Sequence, residues 1–260
     1  MQIKAAKILI SGASGGLGRA LAVELGRRGA RLGLCARDRD GLAKTEALAE
    51  AAGSPEVRLY TCDVAKASAR ALPARVARDF GGLDALVNNA GVHAFALVAE
   101  LPEALLQEVL QVNLFGALRL TQGALPALRA SGGLVVNIGS TLGYRSIPLG
   151  GAYSATKAAL ARLSESLRDE EAKHGVSVLH LSPGVVLTGL RKHALTYQVD
   201  VAGPSKLPYA REAAATAVEI ADAMARGERE AISAAWQVKL WAKLLAPFAG
   251  RALDKRMRLP

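Results

Sequence analysis

The stretch ILISGASGGLG, residues 8–18, decides how this chain folds. Its opening apolar residues predict a buried strand, and the pattern that follows predicts a helix beginning near Leu17. The glycines between them let the backbone turn tightly and come close to a ligand. Backbone amides at the start of a helix attract negative charge. The stretch therefore predicts a parallel α/β sheet with a pyrophosphate-binding loop at the end of its first strand.

Short apolar runs alternate with longer amphipathic runs along the rest of the chain. We predict strands at Ile8–Ser11, Arg31–Ala36, Val57–Thr61, Ala85–Asn88, Gly133–Ile138, Val176–Leu181 and Glu230–Ser233. We predict helices at Leu17–Gly29, Leu42–Ala52, Ala65–Phe80, Pro102–Ala130 and Ala152–His174. This alternation is typical of βαβ units and indicates an α/β fold, a Rossmann-like doubly wound parallel sheet of about seven strands with helices on both faces. No change of composition divides residues 1–235, which we interpret as one dinucleotide-binding and catalytic domain.

The composition excludes several classes of protein. Hydrophobic residues make up 51% and charged residues 22% of the 260 residues, a balance that argues against disorder. The net charge of +10 is spread along the chain without a nucleic-acid-binding motif, so we expect a solvated basic surface and no nucleic-acid partner. Cys35 and Cys62 are too few for a disulfide framework, and we expect small buried side chains in a reduced, cytoplasmic protein. We find no secretory signal and no run of about 20 apolar residues that would cross a membrane.

Residues 236–260 form a basic amphipathic extension. Trp236, Leu240, Leu244 and Phe248 fall at helical spacing, with lysines on the other side. One interpretation is a helix packed on its own domain or on a second subunit. The other is a segment that lies on an anionic membrane, making a peripheral contact.

A reactive pair opens the helical run after residue 151. Tyr153 and Lys157 are four residues apart, so a phenol and an ammonium share one helix face. The ammonium is expected to lower the tyrosine pKa from about 10, which would let the pair exchange a proton with a carbonyl or an alcohol. Ser140 follows a strand, at the edge where parallel sheets bind ligands. Asn113 lies inside a helical run, where asparagine indicates a side-chain hydrogen bond.

These motifs together resemble the short-chain dehydrogenase/reductase family. The loop is similar to the family's Thr-Gly-x-x-x-Gly-x-Gly, with Ser11 in place of threonine, and Asn88-Asn89-Ala90-Gly91 matches a second family motif in full. The order Asn113, Ser140, Tyr153, Lys157 matches the family's catalytic tetrad. The resemblance runs from Lys7 to about Thr188 and more loosely to Ser233. It implies an NAD(P)-dependent oxidoreductase in which Tyr153 is the general acid/base, and a homodimer or homotetramer.

The resemblance also implies a set of cofactor contacts. In the family, the residue matching Asp63 bonds the adenine, and Lys157 holds the nicotinamide ribose. The cofactor-binding residues are then expected to be Gly12, Ser14, Gly15, Gly16, Leu17, Gly18, Arg37, Asp63, Val64, Asn89, Ala90, Gly91, Tyr153, Lys157, Pro183, Gly184 and Thr188.

The end of the second strand bears on which dinucleotide is preferred. Ala36 stands where the family's NAD-selecting aspartate usually lies, and Arg37 suits the 2′-phosphate of NADP. Asp38 would partly cancel that arginine, and Gly15 stands where many NADP-dependent members carry a basic residue. We predict NADP as the cofactor, with NAD as the alternative.

The substrate is expected to lie under residues 185–208. This segment and the facing loops are rich in apolar side chains, which predicts a lipophilic ketone, aldehyde or secondary alcohol. The expected wall comprises Phe95, Leu97, Leu142, Tyr144, Ile147, Leu187, Leu190, Leu195, Tyr197 and Val199. His193 is the histidine of this segment, and a lone histidine in a loop is more often simply exposed. No spacing of histidines and carboxylates predicts a metal site.

A second interpretation of the same fold is a dinucleotide-binding sensor or scaffold without catalysis. The complete tetrad argues against it, because a binding module has no use for Tyr153 and Lys157 together.

Overall fold

A computed structural model describes residues 1–188, 190, 194–199 and 210–234. The predictions about His193 and the 236–260 extension lie outside the described residues. The strands are β1 Lys7–Ser11, β2 Arg31–Ala36, β3 Val57–Thr61, β4 Ala85–Asn88, β5 Ala94–Phe95, β6 Leu134–Ile138, β7 Ser177–Pro183, β8 Val186–Leu187, β9 Leu195–Thr196, β10 Arg211–Glu212 and β11 Glu230–Ser233. The helices are α1 Gly16–Arg27, α2 Arg39–Ala52, α3 Leu72–Phe80, α4 Glu103–Leu110, α5 Ala117–Ser131, α6 Gly151–Glu171 and α7 Ala213–Arg226.

Seven strands form one parallel sheet in the order β11-β7-β6-β4-β1-β2-β3. The chain runs outward from β1 in one direction through β2 and β3 and then in the other from β4, so the order reverses between β1 and β4. Parallel sheets of this kind hold ligands in the crevice at that reversal, beyond the carboxyl ends of the strands. The predicted doubly wound sheet is confirmed.

Helices cover both faces of the sheet, as its nearly continuous apolar strands require. Side chains of α1, α2 and α7 pack on one face around Ile8 and Ile10, which are fully buried. Side chains of α3 and α5 pack on the other face around Leu9 and Leu86. None of the helices in the described part of the chain is both long enough and apolar enough to span a membrane.

Three helical segments differ from the sequence prediction. The run predicted at Ala65–Phe80 begins as a 3₁₀ turn, Ala67–Ala71, and becomes α-helical at Leu72, where Pro73 in the first turn suits a helix start. The single helix predicted over Pro102–Ala130 is interrupted by a π-helical segment between α4 and α5. Helix α7 was not predicted, although its apolar residues Ala217, Ile220, Ala221 and Met224 recur at helical spacing.

Candidate active site

The glycine loop is fastened to the turn after β4 by the hydroxyl of Ser11. The Ser11 Oγ donates to the Val87 carbonyl oxygen at 3.2 Å and accepts from the backbone amides of Asn89 at 3.0 Å and Ala90 at 3.1 Å. The Asn89 side-chain amide donates to the carbonyl oxygens of Ser11 at 3.0 Å and Gly12 at 3.1 Å. The serine that replaces the family's threonine therefore joins the two loops at the crevice.

The loop has the geometry of a phosphate cradle. Gly12 has φ +67° and Gly16 φ +52°, a left-handed conformation that favours glycine. A Cβ on Gly18 would lie 2.6 Å from the Asn89 side-chain nitrogen, so only glycine allows α1 to pack this close. A Cβ on Gly15 would meet no protein atom within 4 Å. The loop thus faces open space at its middle and is tightly packed at its end.

The start of α1 is suited to an anion. Gly15 caps the helix without a side-chain hydrogen bond, and no acidic residue lies in the first turn. The amides of the first turn and the positive end of the helix dipole therefore face the crevice. These residues fit the pyrophosphate of a dinucleotide.

Asn88 begins a chain of buried polar side chains behind the site. Its amide donates to Asn137 at 2.8 Å and to Thr121 at 3.0 Å. The Asn137 amide donates to the Ser164 hydroxyl at 2.9 Å, and that hydroxyl lies 3.2 Å from His180 Nδ1. These bonds connect β4, β6, α6 and β7, so they fix the strand ends that carry the crevice.

Asn113 is 1% exposed and lies in the π-helical segment Gln111–Gly116. Its Oδ1 accepts from the Val92 amide at 2.8 Å, and its Nδ2 donates to the Val92 carbonyl at 2.9 Å and to Thr156 Oγ1 at 3.1 Å. π-Helical turns inside helices occur often at functional sites. Here the turn lets one amide hold the chain after β4 against α6, which explains why an asparagine stands inside a helical run.

Tyr153 is buried in the first turn of α6 and hydrogen-bonds the Ser140 side chain. Its ring stacks on the His93 ring with 4.2 Å between centroids and an interplanar angle of 14°. His93 stacks in turn on Phe95, also at 4.2 Å. Ser140 Oγ accepts from the Leu142 amide at 3.1 Å, which fixes the hydroxyl beside the phenol.

Lys157 lies one turn further along α6 and is 4% exposed. Its Nζ donates to the Ile138 carbonyl oxygen at 2.8 Å and lies 5.7 Å from the centre of the Tyr153 ring. A Cβ on Gly91 would lie 3.3 Å from Asn113 Oδ1 and 3.7 Å from this Nζ. The structure therefore brings the four predicted catalytic residues together beside the turn after β4.

The tyrosine pKa differs from the sequence expectation. Burial raises the pKa of Tyr153 to about 12, and the Ser140 hydrogen bond opposes that rise. Burial also lowers the pKa of Lys157 to about 8. The expected lowering of the tyrosine pKa by the ammonium is wrong for the structure described, because desolvation disfavours the charged form of both groups.

The opposite end of the crevice carries Arg37 and Asp63. Arg37 follows β2 and is exposed. The carboxylate of Asp38 accepts from the Gly41 amide at 3.0 Å and caps the N-terminus of α2, so this carboxylate is hydrogen-bonded to the helix backbone. Asp63 Oδ1 accepts from the Ala65 amide at 3.0 Å, and Val64 is buried.

The nicotinamide end of the expected cofactor site is formed by the chain after β7. Pro183 is the last residue of β7, and the Gly184 amide donates to the Ser233 carbonyl at 2.8 Å. Thr188 lies beside the glycine loop, since a Cβ on Gly16 would be 3.2 Å from the threonine Cβ. The remaining predicted cofactor residues Ser14 and Leu17 belong to the glycine loop and the first turn of α1.

The expected substrate cover is anchored next to the tyrosine. Strand β9 pairs in parallel with β5, so the Leu195 amide bonds the His93 carbonyl at 2.9 Å and the Tyr197 amide bonds that of Phe95 at 3.1 Å. The Ala96 amide bonds the Leu149 carbonyl at 3.0 Å, which joins the same segment to the loop before α6. Five of the predicted wall residues are large and exposed: Leu97, Tyr144, Leu187, Leu190 and Tyr197.

Sequence reasoning missed His93. The signal was its place two residues after Gly91, but a histidine there indicates neither burial nor stacking without the path of the chain. Among the described residues, no group of three or more His, Cys, Asp or Glu side chains converges as metal ligands would.

Comparison with known proteins supports the family resemblance that the sequence motifs indicate. The profile of the family described as short chain dehydrogenase matches residues 6–198. An 11-beta-hydroxysteroid dehydrogenase A of Sesamum indicum is 32% identical over 251 residues, which cover 92% of this chain and 72% of that protein.

Two solved structures have the same fold. The alcohol dehydrogenase of the archaeon Thermococcus sibiricus, complexed with 5-hydroxy-NADP, superposes with a TM-score of 0.77 at 30% identity and covers 88% of this chain and 96% of its own. An NAD+-bound xylitol dehydrogenase superposes with a TM-score of 0.68 at 32% identity and covers 72% of each chain. The chain belongs to the short-chain dehydrogenase/reductase family of NAD(P)-dependent oxidoreductases, which act on alcohol and carbonyl groups.

Proposed function

We propose that the protein transfers hydride between NADPH and the carbonyl carbon of a lipophilic ketone or aldehyde, or in reverse from a secondary alcohol, with Tyr153 as the proton donor or acceptor. The observation that carries the proposal is the convergence of Tyr153, Ser140, Lys157 and Asn113 beside the turn after β4. A bound dinucleotide would supply the hydride.

Each of the chain's own residues has a task in this scheme. Tyr153 keeps its proton at neutral pH, because burial raises its pKa to about 12, and can therefore give it to an oxygen on which charge develops. Ser140 hydrogen-bonds the phenol and lies where it can hold the same oxygen. Lys157 supplies a buried amine beside the phenol, and Asn113 fixes the chain after β4 against α6.

The preference for NADPH rests on Arg37. The guanidinium is exposed at the end of β2, where a 2′-phosphate would lie, and the side chain of Asp38 caps α2. The Thermococcus sibiricus relative was solved with an NADP derivative and the xylitol dehydrogenase with NAD+, so the family accommodates both. Arg37→Asp is expected to weaken NADPH binding at least about tenfold and to leave NADH binding within about threefold, measured by fluorescence titration. Arg39→Asp, also exposed at the start of α2, is the matched control.

A lipophilic substrate is favoured by exposed apolar side chains among the residues of the predicted substrate wall. Leu97, Tyr144 and Leu187 are between 38% and 49% exposed in the described structure. Apolar walls with a few placed polar groups are typical of small-molecule sites. The steroid dehydrogenase name of the Sesamum indicum relative agrees with this class of substrate.

Replacement of one oxygen atom tests the proposed chemistry. Tyr153→Phe removes the phenol but keeps the ring that stacks on His93. We expect kcat for a panel of apolar carbonyl compounds to fall about 10²–10⁴-fold, while the Kd for NADPH stays within about twofold. Tyr60→Phe is the control, because it removes a phenol that hydrogen-bonds Asp79 and belongs to neither the predicted tetrad nor the predicted cofactor contacts. Near-normal turnover by Tyr153→Phe would refute the role of the tyrosine.

A further inference from the structure

Two cysteines meet at the adenosine end of the crevice. Cys35 lies in β2 and Cys62 directly follows β3. Cys35 is paired in register with Tyr60, two residues before Cys62, so all three side chains lie on the same face of the sheet. Both cysteines are free thiols that pack in the same hydrophobic cluster, and each side chain is close enough to shift the pKa of the other. The sequence analysis expected a small buried side chain at both positions; Cys35 is buried, whereas Cys62 is partly exposed.

The two thiols have different surroundings. Cys35 is fully buried in the apolar layer beneath β2 and β3, whereas Cys62 is partly exposed. Contact with the Cys62 sulfur raises the pKa of Cys35 well above its ordinary value, and burial adds to that rise. The same contact lowers the pKa of Cys62, although its own desolvation and the Asp63 carboxylate act in the opposite direction. An accessible thiol with a lowered pKa beside a second, protonated thiol is the arrangement that oxidation-sensitive sites share.

We propose that Cys62 and Cys35 form a modification site at which hydrogen peroxide oxidises Cys62 and Cys35 resolves the product to an intramolecular disulfide. The Cys62 thiolate attacks one peroxide oxygen, so an S–O bond forms, the O–O bond breaks, and the departing hydroxide is protonated to water. The Cys35 sulfur then attacks the sulfenic sulfur, an S–S bond forms, and the hydroxide leaves as water with the Cys35 proton. Two thiols lose two electrons in total, and one peroxide is reduced to two waters.

The disulfide changes the chain that carries Asp63. Parallel strands lie about 4.8 Å apart and rise about 3.3 Å per residue, so the Cα atoms of residues on adjacent strands that are two positions out of register are about 8 Å apart. A disulfide needs about 4.4–6.8 Å, so the bond draws Cys62 toward β2. The Cys62 amide, which donates to the Ala36 carbonyl at 2.9 Å, and Asp63 beside it must move with it. This consequence rests on the proposed cofactor site: oxidation is expected to weaken NADPH binding at least about fivefold.

Peptide mapping without reductant tests the modification itself. Purified protein treated with hydrogen peroxide is expected to lose two hydrogens in mass, to yield a Cys35–Cys62 cross-linked peptide, and to recover with dithiothreitol. Cys35→Ala keeps a small apolar side chain in the buried position, and in it Cys62 is expected to accumulate as sulfenic acid that dimedone traps. Cys62→Ser is expected to leave Cys35 unmodified at the same peroxide concentration.

The outcomes separate this proposal from the proposed function. A disulfide between two copies, oxidation of Cys35 in Cys62→Ser at the wild-type rate, or sulfinic acid at Cys62 of the wild type without a disulfide would each overturn the modification site. NADPH titration of reduced and oxidised protein then tests the coupling, and equal Kd values would refute it. Failure of the reduced protein to bind NADPH would count against the cofactor proposal alone, because the peptide map does not depend on it.

Discussion

Replacing Lys157 with methionine should change how the free energy of unfolding depends on pH. The amine is 4% exposed, and burial lowers its pKa from 10.5 to about 8. One pKa unit is worth about 1.36 kcal/mol, so keeping this amine charged in the fold costs about 3 kcal/mol. Methionine has a similar length and no charge, so it removes this destabilising term. It also removes the hydrogen bond to the Ile138 carbonyl, which stabilises the fold by about 1 kcal/mol.

The sign follows from proton linkage. A lysine whose pKa is lowered in the fold binds fewer protons in the native than in the unfolded state between about pH 8 and 10.5. Wild-type stability therefore gains about 1.4 kcal/mol per pH unit from this group in that window, and nothing from it below about pH 8. A methionine at this position does not titrate and therefore adds no pH dependence to the stability of the variant. The stability of Lys157→Met minus that of the wild type should therefore fall by about 2.5 kcal/mol between pH 7 and pH 10.

Urea unfolding at a series of pH values measures this difference, with the free energy extrapolated linearly to water. Lys44→Met is the control, because Lys44 lies on the exposed face of α2. It shows how far the loss of an exposed lysine charge changes the pH dependence of the free energy of unfolding. A difference between Lys157→Met and wild type that stays constant from pH 7 to 10, or matches that of Lys44→Met, would contradict the reasoning.

Three further results are expected. Gly18→Ala should lower the free energy of unfolding, measured with urea, by about 1–3 kcal/mol, because its Cβ would clash with the Gly12 carbonyl and the Asn89 amide. Gly15→Ala is the control and should unfold like the wild type, because its Cβ meets no protein atom within 4 Å. Asn137→Ala should lower the same free energy of unfolding by about 2–4 kcal/mol, because the buried side chains of Asn88 and Ser164 would each lose a hydrogen-bond partner. Carbonyl reduction should show kcat/KM that is level near neutral pH and falls above about pH 8, as Lys157 loses its proton while the buried phenol keeps its own; a profile level up to pH 10 would contradict this.

The strands could be predicted from sequence because their signal is local. β2, β3, β4 and β11 have the predicted bounds. β2 and β4 are buried along nearly their whole length and therefore need a continuous apolar run that ends at turn-forming residues. The proximity of Tyr153 and Lys157 could be predicted for the same reason, because residues four apart on a helix lie on the same face. α7 was missed although its buried residues Ala217, Ile220, Ala221 and Met224 recur at helical spacing, so the signal was present in the sequence.

Contacts that join distant parts of the chain could not be predicted in this way. The stack of His93 on Tyr153 requires the loop after β4 to cross the start of α6. The meeting of Cys35 and Cys62 requires the register between β2 and β3. The raised pKa of Tyr153 was missed for the same reason: sequence spacing shows the neighbouring charge but not the burial that outweighs it.

Burial of the reactive pair changes the step at which the amine can help. Desolvation moves the pKa of Tyr153 up to about 12 and that of Lys157 down to about 8, so the fold favours a neutral phenol before reaction. Under the proposed chemistry, charge appears on the phenol only when its proton passes to the substrate oxygen. Two unit charges at the 5.7 Å between the amine and the ring centre attract by about 3 kcal/mol at an effective dielectric constant of about 20. That energy is equivalent to about a hundredfold in rate. Under this proposal the lysine acts chiefly by stabilising the phenolate as it forms. If the tyrosine were ionised before the substrate bound, the same attraction would stabilise the ground state and would not lower the barrier.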